Sequence, residues 1–489
     1  MSATLYSPTT GLWIGGQASL VADGRTRPVI NPATEEVIAE VAEAGAADVE
    51  RALAAAAAAQ PGWARQPSPE RAAYLVQIAA LIRRDADRLA RLVVAEQGKP
   101  LAHARGEVDF AARFFEYFAS FARAATGEIM ASDNPHQDVL VRTLPHGVVV
   151  GIIAWNFPAA LFGRKVAPAI MAGNAIVVKP HEDTPLTALA LAALIHEAGV
   201  PAGVVNVVCG AGDVVGEALV RNPITRLVSI TGSVRAGKAV ARAAAEDLTI
   251  ISLELGGKAP FIVLDDADVD IAATAAVAAR FGNCGQICTS NERTYVHRRL
   301  AETFIDRFVA LAADLKLGDP LLPDTDLGPK INRAELEKVE RMVAKAGADG
   351  AQVVLGGGRP SGAQFKRGFW LAPTVLTGVR QDMEIMREEV FGPVAAITTF
   401  EDLDEAIALA NDTAYGLSAY VYSNDLRATM RLVDELACGE VYVNNTGPEQ
   451  VQGYHSGTGN SGYGGDDGIH GLERYLRRKT VYLSYGPEA

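Results

Sequence analysis

Cysteine is scarce in this chain. Four thiols in 489 residues, Cys209, Cys284, Cys288 and Cys438, are too few for a disulfide scaffold, and such sparse use fits a reducing compartment. Positive charge is also short: 45 Lys and Arg face 58 Asp and Glu, a net charge of −13. No Lys/Arg-rich run interrupts that balance, and an acidic surface repels nucleic-acid phosphates and anionic lipid. The longest apolar stretch, Val148 to Trp155, falls far short of the roughly 20 residues that span a bilayer. The segment MSATLYSPTTGLWIGG lacks the basic-then-apolar pattern of a secretory leader. These absences predict a soluble, cytoplasmic protein that binds neither nucleic acid nor membrane.

Metal-ligand spacing is equally missing. None of the eight histidines stands in an HExxH pair, and Cys284 with Cys288 lacks the second ligand pair of a zinc site. The acidic run Asp265, Asp266, Asp268, Asp270 imitates a calcium loop, but Ile271 replaces the turn glycine and no terminal glutamate follows. That run predicts a cap for the next helix, and no metal is expected. The dinucleotide fingerprint GxGxxG is absent too, because GAGDVVG at 210–216 places its last glycine one residue late.

What is present is apolar and periodic. With 49% apolar residues, the chain has material for roughly two to four domains. Ala47 to Gln60 and Pro69 to Gln97 predict helices, and residues 137–143 alternate like an exposed strand. Strands are then predicted at 148–154, 175–179, 204–208, 227–230 and 250–253, with helices such as 185–198 and 234–244 between them. That alternation predicts an α/β fold with a parallel sheet, whose ligands collect at the strands' carboxyl ends. A second α/β region runs from about Lys258 to Val443, packed against the first around a shared cleft. Residues 453–468 hold seven glycines and read either as a mobile surface loop or as a loop bordering the cleft.

Three positions suggest chemistry. Cys288, in FGNCGQICTS, has a glycine-containing turn before it and Thr289 and Ser290 after it. That context favours an exposed thiol whose pKa is lowered by backbone amides and a helix end; the alternative is a small buried hydrophobe. Glu254 follows a predicted strand and belongs at the ligand end of the sheet, or is simply paired or solvent-facing. Asn156 follows another strand end, as a turn device or as a donor aimed at developing negative charge. Two glycine turns, one containing Gly212 and one with Gly232, Ser233 and Gly237, suit phosphate binding at helix starts.

The motifs AWNFP (154–158), AGNAIVVKPHEDTP (172–185), TGSVRAG (231–237), LELGGK (253–258), GQICTS (285–290) and EEVFGPV (388–394) occur in the order seen in the NAD(P)-dependent aldehyde dehydrogenase superfamily. The resemblance extends from NPATEEVI at 31–38 to the carboxyl terminus. It implies that Cys288 is the nucleophile, that Asn156 with the Cys288 N–H forms an oxyanion hole, and that Glu254 activates the deacylating water. Lys179 is grouped with this catalytic set and, with Glu182, at the adenosine ribose. Trp155, Gly212, Ser233 and Leu255 would line the rest of the cofactor site, and Glu389 with Phe391 the nicotinamide ribose and ring. Relatives that transfer the acyl group to coenzyme A generally lack the glutamate, so Glu254 implies hydrolysis. A carboxylate at Glu182 repels a 2′-phosphate, which implies NAD over NADP.

The same resemblance implies an NAD-binding domain at 1–125 and 146–255 and a catalytic domain at 256–455. Strands at 126–145 and 472–487 would bridge a homo-oligomer, a dimer or tetramer. Arg164, Glu449 and His455 are similar to the pocket pattern of lactaldehyde and glycolaldehyde dehydrogenases, which implies a small hydroxyaldehyde as substrate. Thr289 departs from that type, which carries asparagine after its nucleophile. An arginine at this place also occurs in succinate semialdehyde dehydrogenases, which gives the rival substrate. A silent homologue that keeps only the fold is disfavoured by the intact trio, and a thiol hydrolase by the lack of a Cys/His pair in the sequence spacing. Where Arg164 and His455 have no ligand role, they are a surface salt bridge and a loop residue.

Overall fold

In the computed structural model, which describes residues 9–21, 24–124, 127–447 and 449–486, two sheets carry the architecture. The expected boundaries at residues 1, 125, 126 and 487 lie outside the described residues. The first sheet has five parallel strands side by side, Ile250–Glu254, Thr225–Thr231, Val148–Ile152, Ala175–Lys179 and Val205–Val207. Apolar runs such as AIVVK are buried at every position, as a parallel sheet sandwiched between helices requires. Chain order reverses between Val148–Ile152 and Thr225–Thr231, and such a switch opens a crevice at the carboxyl ends. The segments leaving it carry Trp155 and Asn156 on one side and Gly232 and Ser233 on the other.

The second sheet orders Gln352–Leu355, Thr374–Thr377, Val394–Phe400, Asn291–His297, Ala259–Val263, Ser418–Tyr422 and Glu440–Val443; only its first strand is antiparallel to its neighbour. A third, antiparallel sheet joins Leu476–Ser484, Gln137–Pro145 and Glu128–Met130, with Ile129 and Tyr482 standing 79% and 69% exposed. The α/β class expected from the sequence is therefore present. Among the described residues no helix is long and apolar enough to cross a membrane.

Some local expectations change. The first helix runs Ala46–Arg65, straight through Pro61, because buried Trp63 anchors its last turn by donating from Nε1 to the Ile170 carbonyl at 2.8 Å. Residues 69–97 form two helices, Ser68–Arg84 and Ala86–Gln97, broken at Asp85; the apolar spacing continues in phase across the break and hides it. Asp268 does cap the following helix, accepting from the Ile271 N–H at 3.0 Å.

The glycine-rich segment 453–468 is not a mobile surface loop. Gly462–Tyr463 pairs with the end of Ile250–Glu254, and Ser461, Asp466 and Asp467 are buried. A Cβ at Gly462 would lie 2.0 Å from the Leu253 carbonyl oxygen, so the glycine permits close backbone approach rather than motion.

Candidate active site

A cavity of about 1380 Å³ draws its walls from both large sheets. Asn156, Arg164, Cys288, Thr289 and Glu449 line one part of it, and Lys179, Glu182, Gly212 and Ser233 another, with Trp155, Leu255, Glu389 and Phe391 also in its wall. Glu254 closes a strand of the first sheet, whereas Cys288 precedes the strand Asn291–His297 of the second. The link LELGGK crosses between the sheets, and a Cβ at Gly257 would lie 2.2 Å from the Cys288 carbonyl oxygen. Glycine is thus required for the link to pass this close to the Cys288 backbone.

Cys288 is partly buried, and burial pushes its thiol up rather than down; the neighbouring His455 pulls it back only in part. This corrects the expectation of a lowered thiol, because loss of hydration disfavours the thiolate more than His455 and Arg164 favour it. It also corrects the absence of a Cys/His pair, which sequence separation concealed. His455 is buried, with Nδ1 3.1 Å from Glu440 and Nε2 3.6 Å from Glu254. Burial and Arg164 work against its charge, but Glu449, Cys288 and Glu440 outweigh them and hold the ring well above its ordinary pKa. The anionic groups around His455 thus favour its charged form. Glu440, Glu449 and His455 bring one ligand-type atom each within 4.8 Å of one another, a cluster the sequence reading missed because Glu440 lies in no recognised motif.

Glu254 is 2% exposed and neither carboxylate oxygen has a hydrogen-bond partner. Burial, opposed by His455, pushes it up to about 8, close to the operating range of a general base. Asn156 is fixed on both sides: its Nδ2 donates to the Gln286 carbonyl at 3.0 Å, and its own carbonyl accepts from Lys99 Nζ at 2.8 Å and Asn283 Nδ2 at 3.0 Å. One N–H of the amide is used, and its Oδ1 is buried without a hydrogen-bond partner. Asn283 and Cys284 adopt positive φ, 48° and 58°, a strained turn that no motif announces.

Arg164 is buried and paired with Asp467 at 2.7 Å and Glu449 at 3.2 Å. It is no surface salt bridge. Thr289 Oγ1 reaches the same Glu449 at 3.4 Å. Lys179 engages the Pro180 carbonyl at 3.0 Å and Glu182 at 3.3 Å, which sets it beside Glu182 rather than Cys288. Ser233 caps the helix Val234–Ala245, accepting from the Ala236 N–H at 3.2 Å, and Trp155 meets Phe391 edge to face at 5.3 Å. Glu389, pushed up to about 7 by burial and Glu292, accepts from the Gly257 N–H at 2.9 Å.

The model of the aldehyde dehydrogenase family matches residues 20–481. The chain belongs to that family. As an aldehyde dehydrogenase it is an oxidoreductase, and its relatives include the 3,6-anhydro-α-L-galactose dehydrogenase of Streptomyces coelicolor, 50% identical over 99% of this chain and 98% of that protein. The lactaldehyde dehydrogenase of Escherichia coli is 44% identical over 99% of this chain and all of its own, 100%. A solved 3,6-anhydro-L-galactose dehydrogenase in complex with NAP (NADP) superposes with a TM-score of 0.96 at 47% identity, covering 97% of this chain and 100% of that one. The lactaldehyde type was named from the sequence; the anhydrosugar type was not, because the motifs quoted above report shared chemistry rather than substrate.

In this aldehyde dehydrogenase the fixed Asn156 amide makes a quantitative test. Asn156→Ala is expected to lower kcat by roughly 10²- to 10³-fold, the ordinary loss for one oxyanion donor, with little change in cofactor affinity. Steady-state kinetics with aldehyde and cofactor varied separately read both effects.

Proposed function

We propose that this chain oxidises an uncharged hydroxyaldehyde of the lactaldehyde or glycolaldehyde type to its carboxylic acid, with NAD as cofactor. NAD, when bound, accepts the hydride. The chain's own residues do the rest: Cys288 sulfur adds to the carbonyl carbon, Asn156 and the Cys288 N–H steady the resulting oxygen, and the thioester left on sulfur is hydrolysed by water that Glu254 deprotonates. The site fits a dinucleotide, with a capped helix start at Ser233 and Lys179 with Glu182 at the adenosine end. Against burial, which raises it, Lys179 and His181 hold Glu182 below the ordinary carboxylate value. An ionised carboxylate there supports NAD, although the solved relative carries NAP (NADP).

One observation carries the substrate class. Arg164, the cation at the substrate end, is already paired with two carboxylates, so the carboxylate of a semialdehyde would meet Glu449 as well as the arginine. Like-charge juxtaposition costs several kcal/mol, so kcat/KM for succinate semialdehyde should fall roughly 100-fold below that for lactaldehyde or glycolaldehyde. A purified-enzyme panel read by NADH absorbance tests this, and preference for the semialdehyde would overturn it. Within the hydroxyaldehydes, 3,6-anhydro-α-L-galactose is a second reading, favoured by the relative at 50% identity, and belongs in the same panel.

The division into an NAD-binding part at 1–125 and 146–255 and a catalytic part at 256–455 is proposed on the same footing. So are cytoplasmic location and a dimer or tetramer bridged by residues 126–145 and 472–487. Exposed Ile129 and Tyr482 and the open edges of that three-stranded sheet support the bridge.

A further inference from the structure

Five lysines among the described residues are buried: Lys99, Lys165, Lys179, Lys258 and Lys330. Four of them pair with a carboxylate, Glu107, Asp466, Glu182 and Glu292 respectively. Lys330 has no such partner. Its ammonium donates instead to the Phe391 carbonyl and sits 5.9 Å from the ring centroids of both Trp155 and Phe391. A buried cation without an ion pair is costly to keep, and its hydrophobic replacement is easy to imagine in such a pocket. What it holds is itself strained.

Phe391 has φ of 55°, a conformation rare for a bulky residue. Its N–H donates to Glu292 Oε1 at 2.8 Å, and the Val390 N–H to Glu292 Oε2 at 2.7 Å. Glu292 therefore fixes the peptide before Phe391, and Lys330 fixes the one after it. The ring clamped between them lines the cavity together with Trp155 and Glu389.

We propose that Lys330 is a positioning residue for the dinucleotide: by gripping the Phe391 carbonyl it holds the Phe391 ring and Trp155 in the shape that receives the nicotinamide end. This rests on the reading above that Phe391 borders the nicotinamide. Burial pushes Lys330 down to about 8, with Cys284 and Glu335 raising it and Lys338 and Arg280 lowering it further. Because its folded value lies below the ordinary lysine value, folding at neutral pH works against this charge. The grip weakens as pH rises through about 8.

The test uses the purified full chain with Lys330→Met and Lys330→Gln, alone and with Phe391→Ala. Lys330→Met should unfold at the same or a higher temperature without cofactor, and bind NADH roughly tenfold more weakly by fluorescence titration, with aldehyde KM within about twofold. Lys330→Gln, which retains a donor for the carbonyl, should recover most of that affinity. In the Phe391→Ala background, Lys330→Met should change NADH affinity by less than about twofold, since no ring is left to position. NADH affinity of the unsubstituted protein should fall above pH 8, and that of Lys330→Gln should not. Unchanged binding by Lys330→Met, a lowered unfolding temperature, or an equal loss with Phe391→Ala would overturn the inference. Failure of the unsubstituted chain to bind NADH would overturn the cofactor reading itself, and this inference with it.

Discussion

Cys288→Ala should lower the rate of aldehyde-dependent NADH formation by on the order of 10⁴-fold or more, because among the described residues no other thiol lines the cavity. The other thiols offer no substitute. Cys209 and Cys284 are buried and pushed up to about 12 and about 11 by burial, and Cys438 lies outside the cavity wall. NADH affinity should be little changed, since the dinucleotide contacts proposed here do not depend on sulfur. Turnover near that of the unsubstituted enzyme would contradict the account.

Glu254→Gln gives the second large effect, and it separates the two halves of the reaction. Acyl transfer to sulfur and hydride loss need only Cys288 and Asn156, so a rapid burst of about one NADH per subunit should survive, followed by turnover slowed roughly 10²- to 10⁴-fold. The unsubstituted enzyme should show a deacylation rate that climbs about tenfold per pH unit and levels off above pH 8. The sign follows from the carboxyl being pushed up to about 8, chiefly by burial, with His455 opposing: below that pH most of it is protonated and cannot take a proton from water. Glu254→Gln should flatten the profile. Rapid-quench and stopped-flow measurements with lactaldehyde or glycolaldehyde distinguish burst from steady state. Equal loss of both phases would place Glu254 before acylation instead.

Much of the fold was legible because parallel sheets bury strands on both faces. Runs such as VVVGI and AIVVK are short and β-branched, as strands buried on both faces are, and the helices between them share one period. The positions of Asn156 and Glu254 were legible for the same reason, since Asn156 lies just beyond one strand of the first sheet and Glu254 ends another. The charge state of the site was not. His455 lies 167 positions beyond Cys288 in sequence, within a glycine-rich segment whose composition suggests mobility, and the pairings of Gly462 with Glu254 and of His455 with Asp466 hold it beside Glu254. Glu440, which with Asp467 and Glu449 balances Arg164 and His455, sits in no motif, so a paired arginine and a free anion clamp read alike in sequence. Lys330 was equally hidden, because Phe391 reaches it through a backbone carbonyl, and backbone contacts leave no mark on residue type.

The central claim is that a thioester forms on one sulfur and is cleared by one carboxylate. Intact-protein and peptide mass spectrometry of Glu254→Gln, quenched after mixing with NAD and lactaldehyde, tests it most directly. The account predicts a lactoyl adduct confined to the peptide carrying Cys288, absent when NAD is omitted and absent from a Cys288→Ala, Glu254→Gln double variant. NADH formed with no adduct on that peptide, or an adduct on another residue, would contradict it.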